Sequence, residues 1–315
     1  MKKIAIAGAG AWGLALAGAV QRAGAQPLVW SRRAEAAALT TSGVTVTGDD
    51  ARVAGHDVLL LAVPAQEIEA VSSRLARQIA PTLPLVICAK GVARRGHLLL
   101  TDVLETTLPG RPLAVLSGPT FAEEVARGLP TAVTIASRDP AVADKLAKAI
   151  GSATFRPYIS TDPVGVQLGG AVKNVIAIAC GIVTGRRLGE NARAALMTRG
   201  LAEMVRLGRA LGADPETFLG LAGLGDLSLT ATSLTSRNFR FGTLLGEGLA
   251  ADEARAAIAG VVEGAATAEA VVELAAAHNI EMPISAAVAA IVERGAGIAE
   301  TMTELLSRPF KPETA

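Results

Sequence analysis

The amino-acid sequence predicts an α/β N-terminal domain, built on a doubly wound parallel sheet, joined to an all-α C-terminal domain. Three observations carry that reading. Short, uniformly apolar strand candidates alternate with helical stretches through residues 1–161, which in a parallel sheet means helices on both faces. From Asp162 the strand-like runs vanish, and long Ala/Leu/Glu/Arg segments fill residues 162–315. The length of 315 residues suits two domains at roughly 150 residues each.

In chain order, the strand candidates are Lys3–Ala7, Pro27–Trp30, Val58–Val63, Leu85–Ala89, Leu113–Ser117 and Thr131–Ala136. Each is short and apolar throughout, as a strand covered on both faces must be. Gln66–Ile79 and Ala141–Ile150 place apolar residues at helical spacing between them. In the second half the helical segments are Val164–Val183, Ala192–Leu211, Asp252–Ile258, Ala265–Ala277 and Ile284–Val292. Loops at Gly212–Pro215, Gly223–Asp226 and His278-Asn279 separate them, because Gly, Pro and Asn supply turn conformations.

Composition narrows the function. Half of the residues are hydrophobic and 19% charged, so a sizeable core is available. Thirty basic against twenty-nine acidic side chains leave +1, which provides no field to draw nucleic acid or an anionic membrane surface. Aromatics are 3%, too few for a base-stacking platform. Cys88 and Cys180 stand far apart in apolar stretches without metal-ligand spacing, so they read as reduced core residues and no metal site is expected. The uncharged run Ile4 to Gln21 after Met1-Lys2-Lys3 superficially resembles a secretory signal. Its glycines at 8, 10, 13 and 18 point instead to a strand–turn–helix unit, and the chain is expected to be soluble, intracellular and not inserted in a membrane.

That unit reads Ile4–Ala7, then Gly8-Ala-Gly10-Ala11-Trp12-Gly13, then helix. Gly8 permits the tight turn, Gly10 lets backbone approach a pyrophosphate, and Gly13 lets the helix pack closely on the strand. The helix N-terminus offers free N–H groups to the anion. In this context G-x-G-x-x-G predicts a Rossmann-type dinucleotide site. The second strand ends Val29-Trp30-Ser31-Arg32-Arg33, with no acid to bind a ribose 2′-hydroxyl. Two guanidiniums there favour a 2′-phosphate, hence NADPH, with NADH also possible; the alternative is a solvated basic loop.

A hydride-transfer enzyme acting on a carbonyl also needs a proton donor and groups that hold the rest of the substrate. Lys90-Gly91 and Ser117-Gly118-Pro119-Thr120 both follow strands, where ligands bind in parallel sheets. Lys173-Asn174 lies within an apolar helix. A lysine there either snorkels to solvent or lines a cleft.

At these residues the chain resembles the bacterial-type NAD(P)-dependent glycerol-3-phosphate dehydrogenases. The similar segments run nearly end to end: Gly8–Gly13, Lys90-Gly91, Ser117–Glu124, Gly169–Ile178, Asn191–Gly200, Ala222–Leu227, Ser236-Arg237-Asn238 and Val261–Gly264. The resemblance implies interconversion of dihydroxyacetone phosphate and sn-glycerol 3-phosphate, a phospholipid precursor, by a cytoplasmic homodimer. It implies that Lys173 relays the proton, that Asp226 binds a substrate hydroxyl and orients Lys173, and that Lys90 meets both substrate and cofactor. Gly118 and Thr120 would bind substrate, and Ser236, Arg237 and Asn238 would hold its phosphate. Cofactor contacts would come from Gly8, Gly10, Ala11, Trp12, Gly13, Arg32, Lys90, Ala122, Arg237, Val261 and Glu263, with Arg33 an addition.

Taken without the resemblance, Asp226 would be a helix N-cap or turn residue, the Ser236–Asn238 stretch an exposed loop, and Glu263 a first-turn helix acid. The chain departs from the family pattern at Ala11 and Ala65, where serine is frequent, and each departure removes a hydroxyl from the cofactor's surroundings. Arg186 and Arg187 make their loop unusually basic, and nothing in the sequence explains them. Two rival readings stay open: a related two-domain dehydrogenase acting on a β-hydroxyacid, ketopantoate or a sugar acid, and a non-catalytic NADP-sensing module. Ser236-Arg237-Asn238 together with the Gly223-Leu-Gly-Asp226 turn argues against the first, and the set Lys173, Lys90 and Asp226 against the second.

Overall fold

The computed structural model describes residues 2–32, 43–309 and 312. Arg33, expected to contact the cofactor, lies outside them. The elements run β1 (Lys3–Ala7), α1 (Ala11–Arg22), β2 (Gln26–Trp30), β3 (Thr45–Thr47), β4 (Val58–Leu61), α2 (Ile68–Leu75), β5 (Leu85–Ile87), α3 (Leu100–Thr107), β6 (Leu113–Ser117), α4 (Ala122–Ala126), β7 (Thr131–Ala136), α5 (Pro140–Ile150) and β8 (Phe155–Ser160). The helical half follows as α6 (Pro163–Gly185), α7 (Glu190–Ala210), α8 (Asp226–Ala231), α9 (Arg237–Gly246), α10 (Ala251–Ala256), α11 (Glu263–Ala277), α12 (Pro283–Arg294) and α13 (Ile298–Leu306).

The strands form one sheet in the order β3-β2-β1-β4-β5-β6-β7-β8. Along β1, Ile4 and Ile6 enter the core on one face, with α1 and α5, while Ala5 and Ala7 enter the core on the other, with α2 and α3. That alternation is the period of two that a strand buried on both faces displays. The run Ile4 to Gln21, signal-like in sequence, is thus β1, the glycine-rich turn and most of α1.

Three features depart from the expected outline. The sheet is not wholly parallel, because β7 pairs antiparallel to β6, with Leu116 opposite Ile135, and β8 then runs parallel to β7. The connection between them, through the short helix α4, brings the chain back alongside β6 in the opposite direction. Two strands, β3 and β8, stand at the sheet's edges where none was expected. The helix expected over Gln66–Ile79 is shorter, Ile68–Leu75.

Helix α6 is long and apolar enough to cross a membrane, yet it is buried inside the protein along its apolar window. Its N-terminus is capped by Asp162, whose carboxylate accepts from the Gly165 N–H at 2.8 Å. The second carboxylate oxygen accepts from the Asp214 N–H and from the Thr217 hydroxyl. At the other end α6 lies against α9 at backbone contact, since a Cβ on Gly181 or Gly242 would meet the facing helix's carbonyl oxygens, Phe239 O and Ile178 O. That close seam fixes Lys173 on α6 relative to Arg237 on α9.

Candidate active site

A cleft of about 720 Å³ opens between the carboxyl ends of the strands and the helical half. The turn after β1 supplies one wall. Gly8 holds φ +121°, and a Cβ there would stand 2.5 Å from the Ala62 carbonyl oxygen, so only glycine fits. Gly10 is the N-cap of α1 and has no side chain to occupy the first-turn N–H groups. A Cβ on Gly13 would strike the Gly8 carbonyl, so the helix could not start where it does. Gly10, Ala11 and Trp12 line the cleft, and the Trp12 indole donates to the Cys88 carbonyl at 3.2 Å. These residues fit a dinucleotide's pyrophosphate: free N–H groups, a positive helix end and open space above Gly10.

Opposite this wall, Lys173 projects from α6. It is only 5% exposed, yet its side chain lines the cleft, which decides between the two readings of a lysine in an apolar helix. Its ammonium donates to Asp226 Oδ1 at 2.7 Å and to the Thr230 hydroxyl at 2.6 Å. An ammonium has three donors, so one N–H remains for a ligand. Burial pushes the Lys173 pKa down from its ordinary value to about 8; Asp226 opposes this and Lys90 assists it.

Asp226 is wholly buried and opens α8 immediately after a π-helical turn, Leu221–Gly225, rather than sitting in an open loop. It is not the N-cap of α8, a place taken by Gly225, and it does not face solvent. Its other oxygen, Oδ2, accepts from Lys90 at 2.7 Å. Lys90 also donates to the Gly118 carbonyl at 3.0 Å and to the Thr120 hydroxyl at 3.3 Å, so all three of its donors are engaged within the protein. One carboxylate therefore lies between two ammoniums, and the floor of the cleft carries a net positive charge. Such a floor stabilises a developing alkoxide. Gly118 takes φ +144° to aim its carbonyl at Lys90.

The stretch Ser236–Asn238 is not an exposed loop. Ser236 is the N-cap of α9, its hydroxyl accepting from the Phe239 N–H, and Arg237 and Asn238 form the first turn. Arg237 lines the cleft with its guanidinium against Gly260. Asn238 is buried, and its amide bonds to Asn174 and to the Gly264 N–H. Glu263 starts α11 and also lines the cleft; burial pushes its carboxyl up to about 7, against the attraction of Arg237. Ala122, Val261 and Thr120 line the same cleft.

Arg32, just beyond the end of β2, pairs with Glu67 at 2.5 Å on the surface, both side chains substantially exposed. Three residues that the sequence reading did not assign also belong here: Thr230, one helical turn beyond Asp226, and Asn174 and Arg240 on the cleft wall. The spacing Asp226 to Thr230, four residues on a helix, is the one signal that could have revealed Thr230.

Known proteins resemble this chain over nearly its whole length. Two family models match, described as the NAD-dependent glycerol-3-phosphate dehydrogenase C-terminus over residues 162–303 and N-terminus over residues 39–143. A glycerol-3-phosphate dehydrogenase (NAD(P)+) of Parvibaculum lavamentivorans is 52% identical, covering 99% of this chain and 98% of its own. That of Bradyrhizobium diazoefficiens is 49% identical over 98% of each chain. The crystal structure of glycerol-3-phosphate dehydrogenase from Coxiella burnetii superimposes with a TM-score of 0.93 at 40% identity, covering 98% of this chain and 99% of that one.

Proposed function

The chain belongs to the NAD-dependent glycerol-3-phosphate dehydrogenase family, and on that premise we propose that it interconverts dihydroxyacetone phosphate and sn-glycerol 3-phosphate across the cleft. The observation that carries this is the buried Lys173 ammonium, held by Asp226 and Thr230 with one N–H to spare, in the same cavity as the glycine-rich turn. Gly8–Gly13, Ala122, Val261 and Glu263 would hold a nicotinamide dinucleotide, which when bound would supply or accept the hydride. Lys173 donates its free N–H to the C2 oxygen, and in the oxidising direction its neutral amine takes the C2 hydroxyl proton. Asp226 holds Lys173 and keeps its charged form accessible. Lys90, saturated by its own partners, adds fixed positive charge beside the C2 oxygen and reaches substrate or cofactor by releasing Thr120. Arg237, with Ser236 and the first-turn N–H groups of α9, receives the substrate phosphate.

The same reading carries NADPH as the preferred cofactor, through Arg32 and Arg33, with NADH accepted. It also carries a homodimer in the cytoplasm, and glycerol 3-phosphate delivered to phospholipid synthesis. The test is spectrophotometric, with dihydroxyacetone phosphate and each reduced cofactor. Oxidation that depends on dihydroxyacetone phosphate is expected; no such oxidation, or a better rate with ketopantoate, would overturn the reading. Lys173→Ala should lower turnover by roughly 10²–10⁴ while leaving NADPH binding nearly intact.

A further inference from the structure

Ser31-Arg32-Arg33 follow β2 where a site for a ribose 2′-hydroxyl places Asp or Glu, so the local sequence lacks that acid. The fold brings one there from another strand. In the sheet β1 lies between β2 and β4, and the Gly8 N–H at the end of β1 donates to the Trp30 carbonyl at 2.8 Å on one side. On its other side Gly8 lies against the Ala62 carbonyl, at the end of β4. Arg32 follows β2 and Glu67 follows β4, and Glu67 Oε2 stands 2.5 Å from Arg32 Nη2. The pair therefore bridges the two loops that flank the glycine-rich turn. The loop carrying Glu67 is firmly placed. Its N–H donates to the carbonyl of Pro64, a residue of the cleft wall, and the neighbouring Gln66 side chain donates to the Val92 carbonyl and accepts from the Arg94 N–H, all at 2.9 Å.

This pair presents two opposite chemistries to the adenosine ribose of a dinucleotide lying over the turn. A guanidinium matches a 2′-phosphate, whereas a carboxylate accepts from a 2′-hydroxyl and repels a phosphate. We propose that Glu67 is a specificity-determining residue, which favours NADH and restrains the preference for NADPH. With NADH the ion pair stays closed, and because a carboxylate has two oxygens, Glu67 accepts from the 2′-hydroxyl while Oε2 remains on Arg32. With NADPH the phosphate takes Arg32 away from Glu67 and must tolerate the carboxylate beside it. An ion pair with both side chains this exposed is weak, so opening it costs little and both cofactors are admitted. Glu67 thus does from a neighbouring loop what the last residue of the second strand does in an NAD site.

This inference rests on the reading that a nicotinamide dinucleotide binds at the glycine-rich turn, and the experiment separates the two. Binding is measured without substrate, by titrating the protein with NADPH and with NADH and following nicotinamide fluorescence. Wild-type protein that binds neither would overturn that reading and this inference with it. Glu67→Gln keeps the shape and an acceptor oxygen but removes the charge. Its Kd for NADPH should fall by about five-fold, the size of an exposed ion pair no longer given up, with little change for NADH. Glu67→Ala also removes the acceptor, so its Kd for NADPH should fall similarly while that for NADH rises by about five-fold. Adenosine 2′,5′-bisphosphate, which has the phosphate but no nicotinamide, should tighten in both variants as NADPH does, and ADP should not. Wild-type protein that binds both cofactors, with a Glu67→Gln variant whose NADPH affinity is unchanged or whose affinities for NADPH and NADH shift equally, would overturn this inference alone. So would a Glu67→Ala variant that binds NADH as the wild type does.

Discussion

Burial and two neighbours set the charge state of Lys173. Burial disfavours its charged form, Lys90 adds like-charge repulsion, and Asp226 restores part of the loss, leaving the ammonium to titrate near pH 8 instead of above 10. The sign for each direction follows. In the proposed mechanism reduction of the ketone needs the proton on Lys173, so its turnover should hold below pH 8 and fall above it. Oxidation needs the neutral amine and should rise through the same pH. Asp226→Asn removes the attraction that raises the pKa but keeps the burial and Lys90, so both midpoints should move to lower pH. Turnover measured against pH in each direction checks this, and an unmoved midpoint would assign Asp226 to holding the side chain only. The carboxyl of Glu263, pushed up to about 7, titrates in the same range, but Glu263→Gln should leave the Lys173 midpoint where it is.

At the scale of elements, two helix starts carry the site. Helix α9 begins at Arg237, so that the arginine lines the cleft from the helix's N-terminal turn. Arg237→Ala should therefore sharply weaken use of dihydroxyacetone phosphate and change the poor activity on unphosphorylated dihydroxyacetone much less, because only the former has a phosphate to anchor. Equal fractional losses in kcat/KM on the two ketones would move the phosphate site to Arg240. Helix α6 begins at Asp162, which satisfies one of its orphan N–H groups and also ties down Asp214 and Thr217. Asp162→Ala should cost about 2 kcal/mol of stability and lower the melting temperature without changing the pH profile. What the sequence made legible follows the same physics. Strands buried on both faces announce themselves as apolar runs, and β1, β6 and β7 have the predicted bounds. Strand β8, Phe155–Ser160, carries Arg156, Pro157 and exposed Tyr158 because an edge strand has one solvated side and tolerates proline. No apolar run could mark it. The start of α9 looked like a loop because its cap and first turn are polar, and its apolar side chains begin only at Phe239. The glycine-rich turn, Lys90 and Lys173 were legible from local pattern, whereas Asp226 between the two lysines is a contact across 136 and 53 residues of chain that no spacing reveals.

For the whole molecule, α6 is the element that neither half can give up. Val166 packs into the core under the sheet with Leu61 and Val115, while Leu168, Val172 and Ile176 pack among the helices with Met204 and Phe218. Gln167 bonds to the Thr101 N–H and hydroxyl at the start of α3, tying the same helix to the sheet half through polar contacts. Separating the halves would expose one side of α6 and leave Gln167 and Thr101 unpaired, so they should melt together. The cleft reinforces this, since the turn after β1 lies on one side of it and Arg237, Val261 and Glu263 on the other. NADPH bound there touches both halves and should stabilise a single transition. At a concentration about 100 times its Kd, a ligand adds about 2.7 kcal/mol. With an unfolding entropy of roughly 2.1 cal/mol/K per residue, 315 residues give about 0.7 kcal/mol/K, so the melting temperature should rise by about 4 °C. Scanning calorimetry with and without NADPH measures this directly. Two transitions, with NADPH raising only the one that belongs to the sheet, would mean that the helical half does not hold the cofactor and that α6 joins the halves less firmly than its packing indicates.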